Sequence, residues 1–153
     1  MDRNGRRLLA ALVLSATVLG CSGHPTTHEN MTTRSAAIYS ALLFGQLAFE
    51  PQLNRHVWVI PRPAEATQPL SAAVQTRITE TLRSRKIAIS WGSPAEIGDV
   101  RIVTLPQIPP HGDKFTVRVS DWCGTTCGHY LQFNVRSHGG AWTATQTGSV
   151  GIS

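Results

Sequence analysis

The sequence predicts an α+β domain: two helices packed on one face of a mostly antiparallel sheet of about five strands. Two stretches in the first part of the chain repeat their apolar residues at helical spacing, and the last forty residues alternate apolar with polar. The helical stretches come early and most strands late, so helices and sheet segregate into layers. With 153 residues, 41% of them hydrophobic, the chain suits one packed core and is too short for two ordinary domains.

"TTRSAAIYSALLFGQLAF" (32–49) is the first predicted helix. Ile38 and Leu42 are spaced i,i+4, as are Tyr39 and Leu43, and Leu47 continues the stripe; Thr32 or Thr33 suits the N-cap and Pro51 the stop. "VWVI" (57–60) follows as a short strand halted by Pro61 and Pro63. "QPLSAAVQTRITETLRSRK" (68–86) is the second helix, with Val74, Ile78 and Leu82 at i, i+4 and i+8 and a basic "RSRK" at its end, where the helix dipole favours cations. "IAISW" (87–91) and "DVRIVTL" (99–105) are strands, and "PQIPPHGDK" is a Pro-rich loop. In "KFTVRVSD", Phe115, Val117 and Val119 share one face; in "HYLQFNVR", Leu131, Phe133 and Val135 do the same. "SHGGA" is a hairpin turn, and "WTATQTGSV" is the closing strand.

The N-terminus has a different grammar. "MDRNGRR" is basic, and "LLAALVLSATVLG" is thirteen residues without a charge, ending against Cys21. A basic segment, an apolar segment and a small residue before a boundary form the order of a secretory signal peptide. The run falls short of the roughly 20 apolar residues of a membrane span. Val18-Leu19-Gly20-Cys21 resembles the lipobox of bacterial lipoproteins, with Val18 where Leu is commoner and a bulky Leu19. That resemblance implies a diacylglyceryl group on the Cys21 sulfur, cleavage between Gly20 and Cys21, further acylation (palmitate-type chains), and an envelope protein facing outward from the cytoplasm. It divides the chain into a signal peptide (1–20), a lipidated Cys21 with a polar tether containing His24 and His28 (21–31), and a single domain (32–153).

Removing the leader changes the charge. The formal +5 loses Arg3, Arg6, Arg7 and Asp2, leaving 11 basic and 8 acidic residues. "RSRK" is the only basic cluster left, too sparse for a nucleic-acid surface. The expected partners are a membrane, reached through lipid on Cys21, and an envelope protein or cell-wall component.

"DWCGTTCGHY" holds the two other cysteines. An oxidising compartment and an even remainder favour a Cys123–Cys127 disulfide across a turn between two strands. A five-residue loop makes such a bridge worth roughly 2 kcal/mol, a staple for a turn more than for a core. Trp122, His129 and Tyr130 flank it and form the candidate contact surface. The spacing also resembles envelope copper-delivery proteins of thioredoxin-like fold, since soft thiolates favour Cu(I); this alternative makes Cys123, Cys127 and His129 a metal or thiol-redox site. From Cys123 onward, about thirty residues resemble the end of small uncharacterised exported bacterial proteins, which implies export and no particular activity.

Nothing in the chain announces an enzyme. G-x-S-x-G, H-E-x-x-H, P-loop and S-x-x-K patterns are absent, and "HGG" at 138–140 lacks a nucleophile elbow to serve. Asp113 and Asp121 lie a strand apart, and Asp99 and Asp121 suit strand ends; His56, His111 and His129 are scattered. The expectation is a non-enzymatic binding module without cofactor or resident metal. Trp58, Trp91, Trp122 and Trp142 are expected at the core or its rim, where an exposed pair could stack a sugar or peptide.

Overall fold

A computed structural model describes residues 27–47, 57–95, 100–124 and 127–152. The elements are α1 (Thr27–Leu47), β1 (Val57–Ile60), α2 (Ala72–Ser84), β2 (Ile89–Trp91), β3 (Arg101–Thr104), β4 (Lys114–Gly124), β5 (Cys127–His138) and β6 (Ala141–Ile152). The fold is α+β, with the expected two helices and a sheet of six strands in the order β2-β1-β3-β4-β5-β6. β1 runs parallel to both β2 and β3, and the remaining neighbours are antiparallel. A parallel pair needs a crossover, and α2 supplies it between β1 and β2.

α1 begins at Thr27, earlier than expected, so residues 27–31 are helical where a tether was foreseen. In its second half Ile38, Tyr39, Ser40, Leu42, Leu43 and Gln46 are all buried, more than one stripe's worth. The helix packs against α2 and β6, and a helix covered on several sides loses the amphipathic contrast of a surface helix. At Gly45 the sheet comes close to the helix. A Cβ there would lie 3.0 Å from the Ala144 carbonyl oxygen and 3.3 Å from Phe133. At the other end, Arg34 donates to the carbonyls of Pro109 and Gly112, both at 2.8 Å, and lies over the Trp142 ring. The Tyr39 hydroxyl donates to the Pro106 carbonyl at 3.1 Å, so α1 also orders the Pro-rich loop.

α2 starts at Ser71, whose hydroxyl accepts from the Val74 N–H, and buries the predicted Val74, Ile78 and Leu82. It ends in a Schellman pattern: Ile87 N–H to Leu82 carbonyl and Lys86 N–H to Arg83 carbonyl, with Lys86 at φ 62°. The Trp91 indole donates to the Thr79 hydroxyl at 2.9 Å, tying β2 to α2. β2 and β3 are shorter than their apolar patterns implied, whereas β4 and β5 extend beyond theirs. Gly139 and Gly140, at φ 55° and 82°, make the β5–β6 turn with both central residues at positive φ, the two-residue geometry that matches strand twist.

Core side chains come from α1, α2 and the inward positions of β1, β3, β4 and β5: Val57, Val59, Val103, Val117, Val119, Leu131, Phe133 and Val135. The intervening strand positions face away from the helices, and that side carries the candidate site.

Candidate functional site

Alternation along each strand decides what the helix-free face displays. Trp58 pairs with Ile102, and Ile102 with Trp122, which lines up three large apolar residues across β1, β3 and β4. In the neighbouring row Ser120 pairs with Tyr130, and Tyr130 with Val150. Trp122, Tyr130 and Val150 are 40%, 45% and 64% exposed. With Met31 they are the exposed large hydrophobics among the described residues, and three of the four fall in this one patch. Scattered exposed apolar residues need no explanation, but a contiguous aromatic patch marks a contact surface. Arg118 and Gln132, paired in the next polar row and exposed, border it.

Of the expected contact trio, Trp122 and Tyr130 therefore share a face. His129 does not. It pairs with Asp121 on one side and Gly151 on the other, in the row that continues the core face. Its imidazole Nδ1 would lie 3.7 Å from a Cβ on Gly151. The period of two separates it from Tyr130, a signal already present in the sequence.

The sequence reading missed Arg101. It lies on the inward face of β3, and Asp121 on the inward face of β4, each 3% exposed. The Arg101 Nε donates to both carboxylate oxygens of Asp121, at 2.9 and 3.0 Å, and a terminal nitrogen donates to Oδ2 at 2.5 Å. Asp121 is thus a buried ion-pair partner in mid-strand, where a strand-end residue was expected. Charges that continue an inward apolar series, Arg101 before Val103 and Asp121 after Val119, were the available clue.

β4 and β5 pair up to Gly124 with Cys127, with a register irregularity between Trp122 and Gly124. Cys123 is disulfide-bonded; the Cys127 side chain lies outside the described residues, as do Cys21, Gly20, the signal segment, His24, His56 and Asp99. His111 and Asp113 are exposed in the loop before β4 and do not meet buried Asp121. Of the other tryptophans, Trp58, Trp91 and Trp142 are half-buried, at the rim as expected. Among the described residues, no three His, Cys, Asp or Glu side chains cluster closely enough to hold a metal ion. No described helix is long and apolar enough to cross a membrane. Comparison of the chain with protein-family models, curated proteins and solved structures finds no match.

Proposed function

We propose that the protein is a membrane-anchored lipoprotein of the bacterial cell envelope, without enzymatic activity, whose domain holds a partner protein on the helix-free face of its sheet. The observation that carries the docking half is the patch of Trp122, Tyr130 and Val150, backed by Trp58 and Ile102. Trp and Tyr are the residue types that concentrate binding energy at interfaces, and a polar border such as Arg118 and Gln132 suits an interface rim. The anchoring half rests on Val18-Leu19-Gly20-Cys21 behind an apolar run with a basic start. With α1 beginning at Thr27, residues 21–26 separate the lipid from the helix by at most about 20 Å. A Cys123–Cys127 bridge would stiffen the strand ends beside Trp122. The alternative, a metal or thiol-redox accessory using Cys123, Cys127 and His129, has weaker support, because Cys123 is already bonded.

The test uses the full chain in a bacterial host, with a photo-crosslinking amino acid at position 122 or, as a control on the same face, at position 116. Crosslinking to a defined protein from 122 alone, lost with Tyr130→Ala, is the expected result. Equal yields from both positions would remove the docking claim. For the anchor, Cys21→Ala should block processing or release the domain; a correctly cut variant that stayed on membranes would remove that claim.

A further inference from the structure

A second concavity lies on the opposite side of the molecule, where α1 runs between α2 and the start of β6. It is a groove of about 560 Å³, within the usual size range of small-molecule sites. Ala37 and Ala41 are small residues on the α1 side, and Phe44 and Trp142 are aromatic residues of its lining. Ser40 also contributes to its lining, with its hydroxyl oxygen turned away from the open space. Ser40 is only 6% exposed, and its oxygen makes no hydrogen bond.

The third wall sets the charge. Arg77 and Thr81 stand at i and i+4 on one face of α2, Arg85 is the C-cap residue just after the helix, and all three line the groove. Arg77 donates to the Thr33 hydroxyl at 3.0 Å, and the Arg85 guanidinium sits 4.1 Å from the Phe44 ring centre. Neither has a carboxylate partner among the described residues. Glu80 lines the same wall, so the lining still carries one net positive charge.

We propose that this groove binds a small organic anion with an apolar, ring-sized body. The body packs on Ala37, Ala41 and Phe44, and the acidic head meets Arg85. The site is independent of the aromatic patch on the other face of the sheet.

The probe is 2-naphthoate, measured by equilibrium dialysis against the full chain in nanodiscs, with empty discs as the blank. 2-Naphthamide and 2-naphthylmethylammonium are the neutral and cationic comparisons. Saturable binding at one site per chain is expected, at least fivefold tighter for the carboxylate than for the amide, with no saturable binding of the cation. Arg85→Gln should weaken binding at least fivefold, and Ala41→Leu should abolish it. Non-saturable uptake, equal affinity for anion and cation, or unchanged binding in Arg85→Gln would overturn the proposal. Arg85 is exposed, so that last variant remains decisive even if Ala41→Leu does not fold. Trp122→Ala should leave 2-naphthoate binding intact, so either site can fail without the other.

Discussion

Arg101 grips both carboxylate oxygens of Asp121 diagonally across the β3–β4 ladder, where Val103 is the residue directly opposite Asp121 on the otherwise apolar inner face of the sheet. Both side chains are about as inaccessible as the valines beside them. At that depth the attraction between the charges mainly offsets the cost of removing them from water. Breaking one side therefore matters more than losing both. Asp121→Ala should cost about 3–5 kcal/mol by removing the carboxylate from a buried guanidinium, a large share of a stability typically around 5–15 kcal/mol. Arg101→Met combined with Asp121→Leu should cost far less, or even stabilise. Urea unfolding of the single and double variants tests this, and a double variant as weak as the single would contradict it.

Tyr39 ties stability to alkaline pH. Burial pushes its phenol up from 10.0 to about 12, and the Ile108 backbone offsets this only in part. The folded state thus holds the proton more tightly than the unfolded chain. The resulting stabilisation is complete below about pH 10 and is lost as pH rises towards 12, a total loss of about 2–3 kcal/mol. Tyr39→Phe should give up roughly 1 kcal/mol at neutral pH with the hydrogen bond to Pro106. It should then lose less than the wild type between pH 10 and 12, so the two stability curves converge and cross before pH 12. Parallel curves would show that another group governs the alkaline limit.

Much of this architecture is legible in the chain because the two periodicities are clean where they occur. Val74, Ile78 and Leu82 mark α2, and Phe115, Val117 and Val119 with Leu131, Phe133 and Val135 set the inner face of the hairpin. What the pattern hides is pairing at a distance. The parallel neighbours of β1 depend on which way the chain crosses after α2, and no local residue encodes that. The sheet has six strands and not about five because "IAISW" and "DVRIVTL", both legible as strands, each join β1 in the same sheet. The Arg101–Asp121 pair needed the β3–β4 register, whereas the separation of His129 from Trp122 and Tyr130 needed only the alternation already in the sequence. The Ser40 groove has no sequence signal, since an alanine-rich helix face becomes a concavity only once α2 and β6 stand on either side of it.

Gly45 records how closely β6 approaches α1. Elsewhere in a helix, Gly→Ala gains up to about 1 kcal/mol from propensity. Here the added methyl would meet the backbone oxygen of Ala144 at 3.0 Å and the Phe133 ring at 3.3 Å. Backbone cannot rotate aside as a flexible side chain can, so overpacking should outweigh the gain. Gly45→Ala should destabilise by about 1–3 kcal/mol by chemical denaturation. An increase in stability would mean that the helix and strand can separate by a few tenths of an ångström at little cost.

Lys86 offers the opposite case, a residue whose replacement by glycine should help. It holds φ 62° at the end of α2, where two backbone hydrogen bonds, Lys86 N–H to Arg83 and Ile87 N–H to Leu82, close the Schellman turn. The left-handed conformation costs an L-residue with a side chain about 1–2 kcal/mol, and glycine adopts it freely. Against this stand the extra freedom glycine gives the unfolded chain and the loss of one cation near the negative helix end, each worth a few tenths to about 1 kcal/mol. The balance favours Lys86→Gly by up to about 1 kcal/mol. Thermal unfolding beside Arg83→Gly, inside the same helix, provides the contrast. Arg83→Gly should lose about 1 kcal/mol through helix propensity, so a rise for position 86 and a fall for 83 would assign the gain to the left-handed turn, while a fall for both would show that Lys86 contributes contacts outweighing its backbone strain.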